Sequence, residues 1–125
     1  MIYVQALGTD KIANQRVFDV VRNKYRFEKI IVVCSKDSIK FLPENMKPDE
    51  VIVVEDENNI SEIYSKLENI SDEVLVNVTT GTKAMTVALT LLVVKNKGKI
   101  VYVGGTRKGE KVMTGSEIIY EYDIR

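Results

Sequence analysis

The sequence predicts an α/β domain of three layers, in which helices cover both faces of a mostly parallel sheet. Short apolar runs rich in valine and isoleucine alternate along the chain with segments that have helical spacing. Apolar runs without polar alternation are typical of strands that are buried on both faces. After residue 110 the pattern alternates instead, which predicts an antiparallel hairpin at the C-terminal edge of the sheet.

Five apolar runs predict the parallel strands, and the segment "KVMTGSEIIYEYDI" predicts one or two closing antiparallel strands. The five runs are Ile2–Leu7, Glu28–Cys34, Val51–Val54, Val74–Val78 and Lys99–Val103. The segments "RVFDVVRNKY" and "ISEIYSKLENI" have apolar residues at helical spacing, and Asn58 or Asn59 is a plausible cap for the second. A short helix and a loop with two prolines follow Cys34. We expect the strand order 3-2-1-4-5 of a Rossmann-like domain.

A further helix is predicted over Lys83–Lys95, and its run Ala84–Val94 is apolar almost all round. A sheet covers only one face of a helix, so a second surface must cover the rest. We expect some of Met85, Leu89 and Leu92 to pack on a second copy of the chain, which would make a homodimer. The alternative is that neighbouring helices of the same domain cover them.

Length and composition indicate one domain over residues 1–125, with 45% apolar residues. Eighteen basic residues balance eighteen acidic ones, which argues against a duplex-DNA binder. Cys34 is the single cysteine and suits a reducing cytoplasm. The N-terminus lacks a signal-peptide pattern, and the longest apolar stretch, Ala84–Val94, is too short for a membrane span.

Histidine is absent from the sequence. This excludes histidine general acid–base catalysis, Ser-His-Asp triads and histidine metal ligands. With one cysteine there is also no sulfur zinc site. We therefore predict neither a metal nor a cofactor, and any chemistry must use Lys, Arg, Ser, Thr, Tyr or carboxylates.

Three polar loops follow the carboxyl ends of strands, where open α/β sheets bind their ligands. The candidate ligand-binding residues are Gly8, Thr9 and Asp10 after strand one, Thr79, Thr80, Gly81, Thr82 and Lys83 after strand four, and Gly105, Thr106 and Arg107 after strand five. Strands one and four are neighbours in the expected order, so we expect the first two loops to face each other. The third loop would lie alongside.

Glycine, threonine hydroxyls, helix N-terminal amides and two cations together indicate a phosphate site. Lys83 stands in the first turn of a helix, where its charge opposes the helix dipole. The alternative is that Thr79 and Thr82 merely cap the helix and Lys83 is solvated. A P-loop is rejected, because Thr82 separates Gly81 from Lys83, and "GTDKIA" is not a dinucleotide fingerprint.

The segment "NVTTGTKAMTVAL" resembles the strand-four loop and helix of CARF domains, the CRISPR-associated Rossmann-fold sensors. Many of these show a T-G-G-T-K-x-M-like run, and Thr80 stands here in place of its first glycine. "IVYVGGTRKGEKVMTGSEII" resembles the next strand, its basic turn and the closing hairpin of the same family. The resemblance covers nearly the whole chain.

The resemblance implies a homodimer that binds a cyclic oligoadenylate at its interface, and we expect cyclic tetra-adenylate. Thr80, Gly81, Thr82 and Lys83 would contact the phosphate ring, with Thr9 from the first loop and Arg107 at a phosphate or an adenine. Most CARF proteins carry a second domain, and a common one is a HEPN ribonuclease, whose active site needs histidine. This sequence has no histidine, so we do not expect that activity here.

Three functions stay open. In the first, the chain is a metal-independent ring nuclease with Lys83 and Thr82 as catalytic residues. In the second, it is a sensor or sponge that only binds the ligand. In the third, it is a sensor fragment of a longer effector. A more distant alternative is an unrelated nucleotide-binding enzyme.

Overall fold

A six-stranded sheet forms the middle layer, with the strand order β3-β2-β1-β4-β5-β8. This computed structural model describes residues 1–109 and 111–124. Its strands are β1 Ile2–Ala6, β2 Lys29–Ser35, β3 Glu50–Val54, β4 Val74–Asn77, β5 Gly98–Gly104 and β8 Ile118–Ile124, with β6 Arg107–Lys108 and β7 Lys111–Val112 in a separate short pair. β1 to β5 are parallel, and β8 runs antiparallel to β5. The predicted sheet and its antiparallel C-terminal edge are confirmed.

Helices cover both faces of this sheet, as the sequence predicts. They are α1 Lys11–Lys24, α2 Ile60–Leu67 and α3 Lys83–Asn96, and a 3-10 helix spans Ser38–Phe41. α1 packs on one face, and α2 and α3 pack together on the other. Asn59 is the N-cap of α2, where its side chain accepts a hydrogen bond from the Glu62 amide. None of the described helices is both long and apolar enough to cross a membrane.

Alternate residues of each strand enter two separate cores, which is why the strand sequences are apolar throughout. Val4 and Val33 contribute to the core under α2 and α3. Tyr3, Val32 and Leu75 contribute to the core under α1. The buried Tyr3 ring stacks on Phe27 in this second core, with ring centroids 4.8 Å apart.

The first helix begins earlier than its apolar pattern indicates. α1 starts at Lys11 because the Asp10 carboxylate accepts hydrogen bonds from the amides of Ile12 and Ala13 at 3.0 and 3.1 Å. The apolar periodicity of this helix becomes visible only from Val17 onward, because its first turns carry the buried polar side chain of Asn14.

The expected role of Met85, Leu89 and Leu92 at a dimer interface is wrong. All three are buried inside the protomer, in the core between α3 and the sheet. Three other apolar side chains of α3 face outward, namely Val87, Leu91 and Val94, with exposed fractions of 42, 44 and 54%. An apolar surface is therefore present on this helix, but it lies on the side opposite to the expected one.

Candidate functional site

The carboxyl ends of β1 and β4 lie side by side at the centre of the sheet, and the first two predicted loops meet there. Thr80 donates a hydrogen bond from its hydroxyl to the Ala6 carbonyl at 2.7 Å. A Cβ atom added to Gly8 would lie 3.3 Å from the Gly81 nitrogen. The prediction that these two loops face each other is confirmed.

Gly81 is the residue that allows this close approach. Its φ angle is +98°, in the left-handed region, and a Cβ atom there would lie only 2.7 Å from the Ala6 Cβ. A side chain at this position would therefore be strained and would also push the second loop away from the end of β1.

The threonines of the second loop hold the loop in place. Thr79 donates from its hydroxyl to Asn77 Oδ1 at 2.7 Å and accepts from the Val103 amide at 2.8 Å. Thr82 is the N-cap of α3: its hydroxyl accepts from the Met85 amide and donates to the Glu57 carbonyl at 2.6 Å. The alternative prediction, that Thr82 caps the helix, is therefore confirmed. Thr79 anchors the loop to β5 and does not cap the helix.

The start of α3 presents free hydrogen-bond donors. The amides of Lys83 and Ala84 have no acceptor among the residues that the structure describes, as expected in the first turn of a helix. The Lys83 side chain is exposed, and within residues 1–109 and 111–124 its ammonium has no hydrogen bond or ion pair. An ammonium and two amides with the positive end of the helix dipole behind them favour an anion.

The first loop contributes a fixed backbone and one exposed side chain. The Gly8 amide donates to Asn14 Oδ1 at 3.0 Å, and the Gly8 carbonyl accepts from Asn14 Nδ2 at 3.0 Å. Thr9 is exposed at the mouth of the site. The Asp10 carboxylate is occupied by the capping of α1, which leaves Thr9 as the side chain of this loop that is placed to contact a ligand.

The third loop continues from β5, which is tied to the second loop through Thr79. Gly105 and Thr106 follow Gly104, and the Thr106 backbone bonds with Ser116 and Met113 of the segment before β8. The side chain of Arg107 lies outside the described residues. The approach of this arginine to a phosphate or an adenine stays a prediction.

A pocket of about 220 Å³ opens where the ends of β1, β2 and β4 meet the start of α3. Of the predicted site residues, Gly8, Thr9, Gly81 and Thr82 line it. The described lining does not include Asp10, Thr79, Thr80, Lys83, Gly105 or Thr106. Six further residues line it that the sequence does not predict: the apolar Leu7 and Met85, and the polar Ser35, Asp37, Ser38 and Glu57. The sequence could have indicated Ser35 and Glu57, because they follow the apolar runs of β2 and β3 and so belong to the same edge of the sheet.

The free donors at the start of α3 favour an anion beside this small pocket, whose lining also includes two acidic residues, Asp37 and Glu57. In the described part of the chain there is no cluster of three or more carboxylate or sulfur side chains that could hold a metal ion. The groups that could bind an anion here are the free backbone amides at the start of α3, the exposed Thr9 side chain and the Lys83 ammonium.

A model of the Card1 CARF domain matches residues 19–123 of this chain. Among solved structures, the chain is similar to Can2 from Sulfobacillus thermosulfidooxidans in complex with cyclic tetra-adenylate, with 22% identity and a TM-score of 0.59 over 82% of this chain and 32% of that one. It is also similar to Csm6 from Enterococcus italicus bound to cyclic hexa-2′-fluoro-hexa-dAMP, with 16% identity and a TM-score of 0.56 over 82% of this chain and 33% of that one. The chain thus spans about a third of each protein. No curated protein sequence matches it.

Proposed function

We propose that this chain, which belongs to the Card1 CARF domain family, binds a cyclic oligoadenylate of type III CRISPR signalling, and cyclic tetra-adenylate in particular. The observation that carries the proposal is that Lys83, whose ammonium has no partner in the described part of the chain, belongs to the same first turn of α3 as two free amides. Such a group of donors suits a phosphodiester oxygen. In support, the Can2 and Csm6 structures hold ligands of this class.

The binding unit that we propose is a homodimer formed through the outward side of α3. Lys83, Val87, Leu91 and Val94 follow one another at spacings of four, four and three residues, so they share that side of the helix. Apolar side chains exposed in a row favour burial against another surface. A two-fold contact along α3 would bring both copies of Lys83 to one side of the dimer. A cyclic ligand with four phosphates could then contact both.

We further propose that the dimer cleaves the ring. The ribose 2′-oxygen loses its proton to water and attacks the adjacent phosphorus, and the bond from phosphorus to the 5′-oxygen breaks. The 5′-oxygen takes up a proton, which leaves a 2′,3′-cyclic phosphate and a 5′-hydroxyl. Lys83 would stabilise the negative charge that develops on the phosphorane oxygens. Catalysis also requires that the ring is held with the attacking and leaving oxygens in line.

Binding without cleavage is the second candidate, and one observation favours it. The hydroxyls of Thr79, Thr80 and Thr82 all make hydrogen bonds within the protein. A catalytic role of Thr82 would require its bond to the Glu57 carbonyl to be exchanged for one to the ligand. The chain would then be a sensor or sponge, or part of a longer effector.

The test is incubation of the protein with cyclic tetra-adenylate in excess EDTA, followed by separation of the products. Linear products with 2′,3′-cyclic phosphate ends support a metal-independent nuclease. Intact ligand that stays with the protein supports a sensor or sponge. Absence of both binding and cleavage contradicts the proposed function. Cleavage that is lost in EDTA and restored by magnesium contradicts the metal-independent mechanism.

A further inference from the structure

A continuous chain of buried hydrogen bonds runs beneath the site, on the face of the sheet that α1 covers. Its four side chains are Tyr3, Gln5, Asn14 and Asn77, and all four are fully buried. Burial of polar groups in strands that are otherwise apolar is costly unless every group finds a partner. Within the described residues, no buried side-chain nitrogen or oxygen atom lacks one.

Asn77 makes the connection to the second loop and to the end of β5, from which the third loop continues. Its Nδ2 donates to the Tyr3 hydroxyl at 2.9 Å and to the Val17 carbonyl at 3.3 Å. Its Oδ1 accepts from the Thr79 amide at 3.1 Å and from the Thr79 hydroxyl. Because the Thr79 hydroxyl also accepts from the Val103 amide, this one side chain fixes the start of the second loop and the end of β5.

Tyr3 carries the connection across to the first loop. Its hydroxyl accepts from Asn77 and donates to Gln5 Oε1, and Gln5 Nε2 donates to the Asn14 carbonyl at 3.0 Å. Asn14 in turn holds both backbone groups of Gly8. Burial raises the pKa of the Tyr3 hydroxyl far above its ordinary value, so the proton needed for the bond to Gln5 is retained at any physiological pH.

We propose that Tyr3 and Asn77 are positioning residues that set the three ligand loops in one arrangement through this chain of hydrogen bonds. The inference rests on the proposed function for its consequence, which is that the affinity for the cyclic ligand depends on side chains that cannot touch it. Neither residue is exposed, so neither is available for direct contact with a ligand at the edge of the sheet.

The strongest test is Tyr3→Phe, which removes one oxygen atom and keeps the ring that packs between Phe18 and Phe27. Amide hydrogen exchange in the ligand-free protein reports directly on the network, because the amides of Gly8, Thr79 and Val103 are donors in it. These three amides lie in the first loop, at the start of the second loop and near the end of β5. We expect them to exchange about tenfold faster in the variant, relative to the slowest amides of β1 and β2.

The matched control is Tyr64→Phe, which deletes the same atom from a half-buried tyrosine in the core under α2 and α3. It should leave the three reporter amides unchanged relative to the reference amides. Equal acceleration of reporter and reference amides in Tyr3→Phe would show only a loss of global stability, and acceleration confined to one loop would show that the loops are independent. Either result overturns the proposal.

A second pair of variants guards against failure of Tyr3→Phe to fold. Thr79→Val keeps the shape of the side chain and removes the hydroxyl that joins Asn77 to Val103, whereas Thr90→Val removes a hydroxyl that bonds only within α3. Thr79→Val should accelerate exchange at Val103 and Gly8, and Thr90→Val should not. Unchanged exchange at Gly8 in Thr79→Val overturns the coupling.

Titration with cyclic tetra-adenylate then tests the functional consequence. Tyr3→Phe should weaken binding about tenfold and Tyr64→Phe should not. If the wild-type protein does not bind the ligand, the proposed function fails while the exchange measurements still decide whether the loops are coupled. If exchange accelerates in all three loops but affinity is unchanged, the positioning role is overturned.

Discussion

Lys83 is the side chain on which the ligand assignment depends most. Its ammonium opposes the helix dipole and has no partner in the part of the chain that the structure describes, so the fold gains little from it. Lys83→Ala should therefore weaken binding of cyclic tetra-adenylate by about tenfold or more, as expected for the loss of a charged hydrogen bond. The melting temperature should hardly change. Binding is measured by calorimetry and folding by circular dichroism.

The control for this change is Lys29→Ala. Lys29 is also exposed, but it begins β2 at the opposite end of the sheet from the site. Both variants remove one positive charge, so a general electrostatic effect would weaken binding equally. Equal affinities of the two variants would remove the reason for placing the ligand at α3.

Gly81 tests the close approach of the first two loops. Gly81→Ala adds a methyl group at a φ of +98° and 2.7 Å from the Ala6 Cβ. Gly115→Ala is matched to it, since Gly115 has a φ of +87° and open space around a Cβ. The control should lose about 1 kcal/mol of stability from the backbone alone, and Gly81→Ala should lose clearly more. Urea unfolding of both variants measures the difference, and equal losses would contradict the contact.

The helix α3 joins the site to the proposed dimer interface. Leu91→Glu places a charge in the middle of its outward apolar side, where a two-fold contact would bring two such charges together. We expect this variant to sediment as a monomer and to bind the ligand much more weakly. Ile12→Glu is the control, because Ile12 is 72% exposed on α1 and its change should alter neither property. A wild-type monomer, or a Leu91→Glu dimer, would exclude this interface.

The orientation of α3 shows where sequence patterns reach their limit. Apolar residues occur on all sides of this helix, so the spacing that indicates a helix gives no information about which side faces the sheet. Met85, Leu89 and Leu92 were assigned to the wrong surface for that reason. α2 has a clear apolar side instead, and its buried residues, Ile63 and Leu67, are ones that the pattern indicates.

For the molecule as a whole, the sheet could be predicted because each buried strand is a continuous apolar run and because strand order follows from the α/β alternation. The network under the site could not be predicted. Tyr3 and Asn77 are 74 residues apart, and no local pattern pairs a tyrosine with an asparagine at that distance. The sequence gives only a weak indication of this network: Gln5 and Asn77 are polar residues within otherwise apolar strands.

The three loops were also only partly predictable. The position of the loops can be predicted from the ends of the strands. The hydrogen bonds that each threonine makes depend on partners in other elements. The Glu57 carbonyl that accepts from Thr82 lies 25 residues away, between β3 and α2. The sequence therefore predicts where these loops lie and leaves the roles of their hydroxyls undecided.

The central claim is that two chains share one cyclic oligoadenylate. Calorimetric titration of the protein with cyclic tetra-adenylate, beside sedimentation of the same sample and with linear tetra-adenylate as the control ligand, tests it most directly. We predict a dimer before ligand is added, one cyclic ligand bound per two chains, and weaker binding of the linear molecule. A monomer that binds one ligand per chain, or a dimer that binds none, would contradict the account.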